Sequence, residues 1–388
     1  MYTIQTLNRI SDCIREVLPE EWYRIDEAAQ APDAVLVRSA DMHGMEAPRS
    51  LLAVARAGAG YNNIPVDEYT KRGVCVFNTP GANANAVAEL VLLGLLLSGR
   101  RVVDGIEWAR ALKGRESVPG LVEKGKGQFA GPELRGKTLG VIGLGAIGIL
   151  VANAAAQGLG MTVLGEDPFI SVQHAWSLSR AVQRVDSVEE ILAQSDFVTV
   201  HVPLSEKTRG MIDSAALARM KPGARLLNFS RAELVDGEAV RAALQAGKLA
   251  AYITDFPTDD MLGAPGVVCI PHLGASTPES EENCARMAAE ELRAYLETGS
   301  IHNSVNLPEM QLGRPEGARL QVIHANAPGM VSRISAIISG EGINIENMTN
   351  KGRGDWAVTV LETDQPLPES AMEALRALPQ AVRVRAVL

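Results

Sequence analysis

Residues 138–148, Thr138-Leu139-Gly140-Val141-Ile142-Gly143-Leu144-Gly145-Ala146-Ile147-Gly148, decide the fold. An apolar run with strand character ends in Gly143, Gly145 and Gly148 at G-x-G-x-x-G spacing, and the apolar, alanine-rich 149–157 that follows reads as a helix. The first glycine permits a tight turn, the second lets a pyrophosphate come close to the backbone, and the third lets helix and strand pack closely. The helix start at Ala146 and Ile147 offers unpaired N–H groups and a partial positive charge to the phosphates. The motif alone is weak. Here a second strand, Thr162–Leu164, follows, and Asp167 stands 19 residues beyond Gly148. That is about where an acid binds the ribose 2′-hydroxyl of NAD, and a carboxylate there repels the 2′-phosphate of NADP. NAD is therefore the expected cofactor.

Outward from this block, strand-like runs alternate with helical patterns: Ala34–Val37, Leu51–Ala55, Val74–Phe77, Phe197–Val200, Arg225–Asn228 and Val267–Ile270. Such alternation implies βαβ units and parallel sheets covered on both faces. A long helix is expected over 85–99. Another is expected after Ser276-Thr277-Pro278-Glu279, where Ser276 and Glu279 have capping-box spacing, running to Gly299. The stretch 300–317 reads as a linker, and 318–388 has the strand–helix–strand–strand–helix–strand order of a ferredoxin-like unit. The expected division is 1–97 with 275–305, then 98–274, then 318–388.

The composition excludes several classes. The 388 residues are 46% hydrophobic and 21% charged, enough for two or three cores, and the net charge of −9 gives nucleic-acid binding no support. Cys13, Cys75, Cys269 and Cys284 form no C-x-x-C pair, so no metal site is expected, and scattered thiols suit a reducing cytoplasm. The longest apolar stretch, Ala86 to Leu97, contains Glu89 and is too short for a bilayer, so no membrane partner is expected.

Three polar groups downstream of the glycines suit the reduction of a 2-keto acid. Arg231 follows the apolar 226–230, and His272 follows Val267–Ile270 and Pro271, both at strand ends where open α/β sheets bind ligands. Asp255, Asp259 and Asp260 lie between them. A histidine can serve the alkoxide proton at neutral pH, a carboxylate can orient it, and an arginine can hold a small anionic substrate and polarise its carbonyl.

With these residues in place, the chain resembles the D-isomer-specific 2-hydroxyacid dehydrogenases. The resemblance rests on 140–148, on His201-Val202-Pro203 with Thr208-Arg209-Gly210, on Asn228-Phe229-Ser230-Arg231 and on Pro271-His272-Leu273-Gly274, and it covers about residues 1–305. It implies a Rossmann-type NAD domain inserted in a flavodoxin-like substrate domain. It further implies that Arg231 binds substrate, that His272 is the general acid/base with an acidic partner, that Asp255 lies near the nicotinamide, and that His201, Val202, Pro203 and Thr208 serve the cofactor. The family usually supplies a glutamate as that partner. Here Asp260 is the preferred match and Asp259 the alternative, and Ala232 stands where glycine is common. Val37-Arg38-Ser39 and the 56–64 segment resemble substrate-domain motifs of a branch acting on a phosphorylated substrate. Arg38 and Ser39 would hold the phosphate, and backbone amides of Gly58, Ala59 and Gly60 would face the substrate.

The implied activity is NAD-dependent oxidation of 3-phosphoglycerate to 3-phosphohydroxypyruvate, opening L-serine synthesis. The alternatives are a glyoxylate, hydroxypyruvate or other D-2-hydroxyacid dehydrogenase and an NAD-sensing scaffold without catalysis. The C-terminal unit resembles an ACT domain, which implies an L-serine site at His324, Asn326 and Asn344 and a homodimer or homotetramer.

Overall fold

The computed structural model describes residues 1–315 and 317–387. The chain divides into two units, Met1–Asn83 with Pro278–Leu388, and Ala84–Thr277. In the first unit, five parallel strands, β1 (Tyr2–Leu7), β2 (Tyr23–Ile25), β3 (Ala34–Val37), β4 (Ala53–Arg56) and β5 (Cys75–Asn78), lie in the order β2-β1-β3-β4-β5. Strands β3 to β5 are buried along almost their whole length, which is why they read as unbroken apolar runs. The helix Pro278–Thr298 packs Ala285, Ala288, Ala289, Leu292 and Tyr295 into the same core as Leu36, Ala55 and Phe77. The rings of Phe77 and Tyr295 meet edge-on at 5.7 Å.

The second unit holds β6 (Thr138–Ile142), β7 (Thr162–Glu166), β8 (Val182–Arg184), β9 (Phe197–Val200), β10 (Ala224–Asn228), β11 (Leu249–Thr254) and β12 (Val267–Cys269). They form one parallel sheet in the order β12-β11-β10-β9-β6-β7-β8. The winding reverses between β6 and β9, the switch point at which doubly wound sheets bind ligands beyond the strands' carboxyl ends. The helix Ala84–Gly99 belongs to this unit, although the sequence placed it with residues 1–97. Its packing gives the reason: a Cβ on Gly94 would stand 2.9 Å from the Phe229 ring and 3.2 Å from Leu227, so the glycine seats the helix on β10.

The C-terminal strands β13 (Ala318–Ala325), β14 (Ile345–Arg353), β15 (Trp356–Thr363) and β16 (Ala381–Val387) form an antiparallel sheet in the order β14-β15-β13-β16. Leu320 and Val322 share a core with Ile334, Ile338 and Leu375 of the helices Met330–Gly340 and Glu369–Arg376. Ile323, Val358 and Val360 instead join the core of the first unit. Near the start of β13, on the same face as Ile323, Arg319 donates to the carbonyls of Thr298 and Gly313 at 2.7 Å. Arg385 lies 4.1 Å over the Tyr295 ring and donates to that residue's carbonyl. The C-terminal sheet thus packs its own helices on one face and the rest of its unit on the other, through the alternation of its side chains.

Candidate active site

The glycine turn is built for two different purposes. Gly143 has φ +92° and would bring a Cβ to 2.7 Å from the His201 carbonyl oxygen, while a Cβ on Gly148 would fall 2.0 Å from the Gly143 carbonyl. Both glycines are dictated by the fold. Gly145 is not: its φ is −77° and a Cβ there would meet nothing within 4 Å. A side chain would fit the bare protein at Gly145, so its absence serves a group that approaches from outside. It caps the helix Ala146–Gln157, whose first amides, those of Ala146 and Ile147, lack intrahelical partners. This cradle fits a dinucleotide's phosphates.

Asp167 follows β7 directly. Its carboxylate accepts the Leu144 amide at 2.9 Å and the Phe169 amide at 2.8 Å, so it also braces the glycine turn. His201 directly follows β9, beside the turn. Burial pulls its imidazole down to about 4, so it is neutral near pH 7. One ring nitrogen pairs with the Thr199 hydroxyl at 2.9 Å and Nδ1 is buried without a partner. Val202 is partly buried and Pro203 exposed. The Thr208 hydroxyl donates to the Pro203 carbonyl at 2.7 Å and accepts the Ser205 amide at 2.8 Å, which makes it a staple of this loop.

Three neighbouring strands deliver the reactive groups. Arg231 lies beyond β10, Asp255 directly after β11 and His272 beyond β12. Arg231 is exposed, and its backbone is held by Asn228, whose buried side-chain amide donates to the Arg231 carbonyl at 2.8 Å. Ser230 donates to the Val200 carbonyl at 2.8 Å, fixing the same turn to β9. The sequence reading quoted Asn228 and Ser230 but gave them no part; a buried asparagine closing an apolar strand was the available signal.

His272 is exposed and has φ +41°, a left-handed conformation rare outside glycine. Its amide donates to the carbonyls of Asp255 at 3.0 Å and Ile270 at 2.9 Å, and its ring lies 4.8 Å from that of Phe256 at a tilt of 49°. Asp255 is 2% exposed, and its Oδ1 has no partner. Burial raises its carboxyl above the ordinary carboxylate range, against the opposing pull of His272, the Gly274 amide and Arg231. Asp260, the residue expected beside His272, is exposed and pairs with Arg241 at 3.4 Å, and the Thr258 hydroxyl holds its carboxyl below the usual range. Asp259 is exposed.

In the first unit, Arg38 directly follows β3 and pairs with Glu281 at 2.6 Å. The amides of Ser39 and Ala40 both donate to the Asn8 side chain, at 3.0 and 2.6 Å. Gly58 has φ +151°, and a Cβ there would fall 1.8 Å from Nη1 of Arg56. The Arg56 guanidinium therefore folds over this glycine, and its Nε donates to the Arg38 carbonyl at 3.0 Å. Ala59 is held through its carbonyl by the Asn78 amide at 2.6 Å, and Gly60 is partly buried. Arg56 and Glu281 were missed in the sequence, although Arg56 opens the quoted segment.

In the C-terminal sheet His324 is buried, with Nδ1 on the Ala325 carbonyl and Nε2 on the Thr359 hydroxyl, both at 2.8 Å. Asn326 donates to the Gly354 carbonyl at 3.0 Å. Asn344 is not brought to them. It precedes Ile345, which pairs with Thr363 and through it stands level with Ala318, whereas His324 is level with Ala357. The offset along the strands is about 20 Å.

Family models match two stretches of the chain. Residues 94–274 match the family model described as D-isomer specific 2-hydroxyacid dehydrogenase, NAD binding domain, and residues 318–380 match that of the ACT domain. The chain is 34% identical to the D-3-phosphoglycerate dehydrogenase of Escherichia coli K12 over 88% of its length and 82% of that protein's. It is 35% identical to the protein of the same name from Methanocaldococcus jannaschii, over 81% of this chain and 61% of that one. Among solved structures, NAD+-bound 3-phosphoglycerate dehydrogenase of Entamoeba histolytica superposes with a TM-score of 0.60 at 26% identity, covering 79% of this chain and 98% of that one. D-mandelate dehydrogenase of Rhodotorula graminis superposes with a TM-score of 0.67 at 25% identity, covering 81% of this chain and 99% of that one.

Proposed function

The chain belongs to the D-isomer-specific 2-hydroxyacid dehydrogenases and carries an ACT domain, and from that premise we propose that it oxidises 3-phosphoglycerate to 3-phosphohydroxypyruvate with NAD. The observation that carries the reading is the placement of Arg231 and His272 at the carboxyl ends of β10 and β12, the two strands that flank β11, in the sheet whose switch point holds the glycine cradle. Bound NAD supplies the hydride acceptor. Gly145 and the amides of Ala146 and Ile147 hold its phosphates, Asp167 takes the ribose hydroxyls, and the His201–Pro203 turn lines the site. Arg231 holds the substrate carboxylate and polarises the oxygen at the reacting carbon. The His272 imidazole accepts the hydroxyl proton and returns it in the reverse direction. Arg38, Ser39 and the amides of Gly58 to Gly60 take the phosphate; for this the Arg38–Glu281 pair must open.

The test is NADH absorbance in the reverse direction. Fast loss with 3-phosphohydroxypyruvate and slow loss with glyoxylate is the expected result. Equal rates would move the protein to a glyoxylate or hydroxypyruvate reductase, a reading that the ion-paired state of Arg38 favours. No NADH loss with any keto acid would leave only an NAD-sensing scaffold.

The ACT domain is proposed to bind L-serine through His324, Asn326 and Asn344. Their separation within one chain means that a site using all three is completed by a second copy. We take the working form to be a homo-oligomer in the cytoplasm. The helices Val102–Ala111 and Val118–Gly125, which bury no residue, support association. Among the described residues no helix is long and apolar enough to cross a membrane.

A further inference from the structure

Resting on the dehydrogenase reading, we propose that Asp255, and neither Asp259 nor Asp260, is the carboxylate that orients His272 and stabilises its charged form. Between Asp255 and His272 the chain has no glutamate, so a carboxylate partner drawn from this segment must be one of three aspartates. Asp260 is engaged by Arg241 at 3.4 Å, and both it and Asp259 are exposed, where water screens a charge. Asp255 differs in every respect.

It follows β11, the strand paired with β12, from which His272 hangs. The His272 amide donates to its carbonyl at 3.0 Å, so the two backbones are clamped together. The turn then wraps the carboxylate, since a Cβ on Gly274 would lie 3.2 Å from Asp255 Oδ2. The other oxygen, Oδ1, is buried and has no partner. A buried carboxylate oxygen left unpaired is costly and marks a group kept for use. The charged groups acting on it are His272 and Arg231, and Tyr252 is a further titratable neighbour.

The left-handed backbone of His272 fits the same purpose. A histidine held at φ +41° by two backbone acceptors is over-determined, as active-site residues are. The Phe256 ring limits the imidazole's rotation from one side. Asp255 is thus a positioning residue. It stays ionised through the cycle while His272 carries the proton, and a neutral side chain in its place leaves the imidazolium less stable.

The experiment compares Asp255→Asn, Asp259→Asn and Asp260→Asn in the full chain, oxidising substrate with NAD across pH. Asp255→Asn should lower kcat at least 100-fold with less than a threefold change in the KM for NAD. The acidic limb of its kcat/KM profile should move down by about one pH unit, because a base without its carboxylate gives up its proton more readily. The other two variants should each lose less than tenfold, with the limb in place. A larger loss in Asp259→Asn or Asp260→Asn overturns the proposal. So does a raised KM for NAD with an unmoved limb in Asp255→Asn, which would make Asp255 a cofactor contact. If Asp255→Asn fails to fold, the other two decide: an unmoved limb in both supports Asp255, and a moved limb in either overturns it. A wild-type chain that oxidises no 2-hydroxy acid would instead sink the dehydrogenase reading itself.

Discussion

At the scale of single residues, the three fingerprint glycines separate fold from ligand. Gly148→Ala places a methyl 2.0 Å from the Gly143 carbonyl, a clash with backbone that no rotamer relieves, so a loss of about 2–4 kcal/mol is expected in chemical denaturation. Gly145→Ala meets nothing within 4 Å, so stability should change by less than about 1 kcal/mol while NAD affinity falls at least about tenfold. Equal stability losses in the two variants would contradict the division. Arg38 carries a second prediction. A charge-assisted contact is worth about 1.5–3 kcal/mol, so Arg38→Ala should cost roughly 10- to 150-fold in kcat/KM with the phosphorylated substrate. With glyoxylate the loss should stay within about threefold; parallel losses would remove Arg38 from the phosphate site. Arg231 and His272, the residues proposed to act on the substrate, stand out in the sequence because each follows an apolar run. The choice among the aspartates was not legible, because burial, rather than spacing, distinguishes Asp255 from Asp259 and Asp260.

At the scale of elements, strands buried on both faces were read correctly from unbroken apolar runs: β3, β6 and β9 occupy the expected residues. The strands that escaped are mixed. In β1 polar Thr3 and Gln5 alternate with buried Ile4, and β11 spends Ala250 and Ala251 where larger residues would have signalled a strand. The helix Pro278–Thr298 was visible from its cap, but not the carboxylate it buries. Glu291 is 5% exposed, its Oε1 accepts the Asn303 amide at 2.7 Å and its Oε2 has no partner. Burial pushes its carboxyl up to about 8. The unfolded chain therefore loses this proton near pH 4.5 while the folded chain keeps it, and stability falls as pH rises from there to about 8. The fall from this one group is at most about 5 kcal/mol. Glu291→Gln removes the titration, so its melting temperature should exceed wild type at pH 8 and lose that advantage at pH 5. Melting curves that stay parallel would mean that Glu291 is ionised in the folded state.

At the scale of the molecule, the comparisons supply what periodicity could not, while the structure raises a question of its own about assembly. The helices Val102–Ala111 and Val118–Gly125 bury no residue, yet they expose Val102, Ile106, Val118 and Leu121, with Ile106 at 47%. Leu93 and Leu96 of the helix Ala84–Gly99 are 45% and 48% exposed in the same unit. Trp108 of the first helix meets Phe129, which follows the second, at 5.4 Å and a tilt of 51°, a contact that leaves those apolar residues uncovered. Exposed apolar residues in such number mark an interaction surface, and because the effector site proposed above would be completed by a second copy, the simplest occupant is a second copy. Ile106→Glu combined with Leu121→Glu should then lower the mass seen in light scattering to that of a smaller assembly, because burying two carboxylates in an apolar interface is prohibitive. The melting temperature of wild type should rise with protein concentration through mass action, and that of the double variant should rise less. A double variant with unchanged mass and the same concentration dependence would show that these helices face solvent in the working enzyme, and would leave the C-terminal sheets as the place where copies meet.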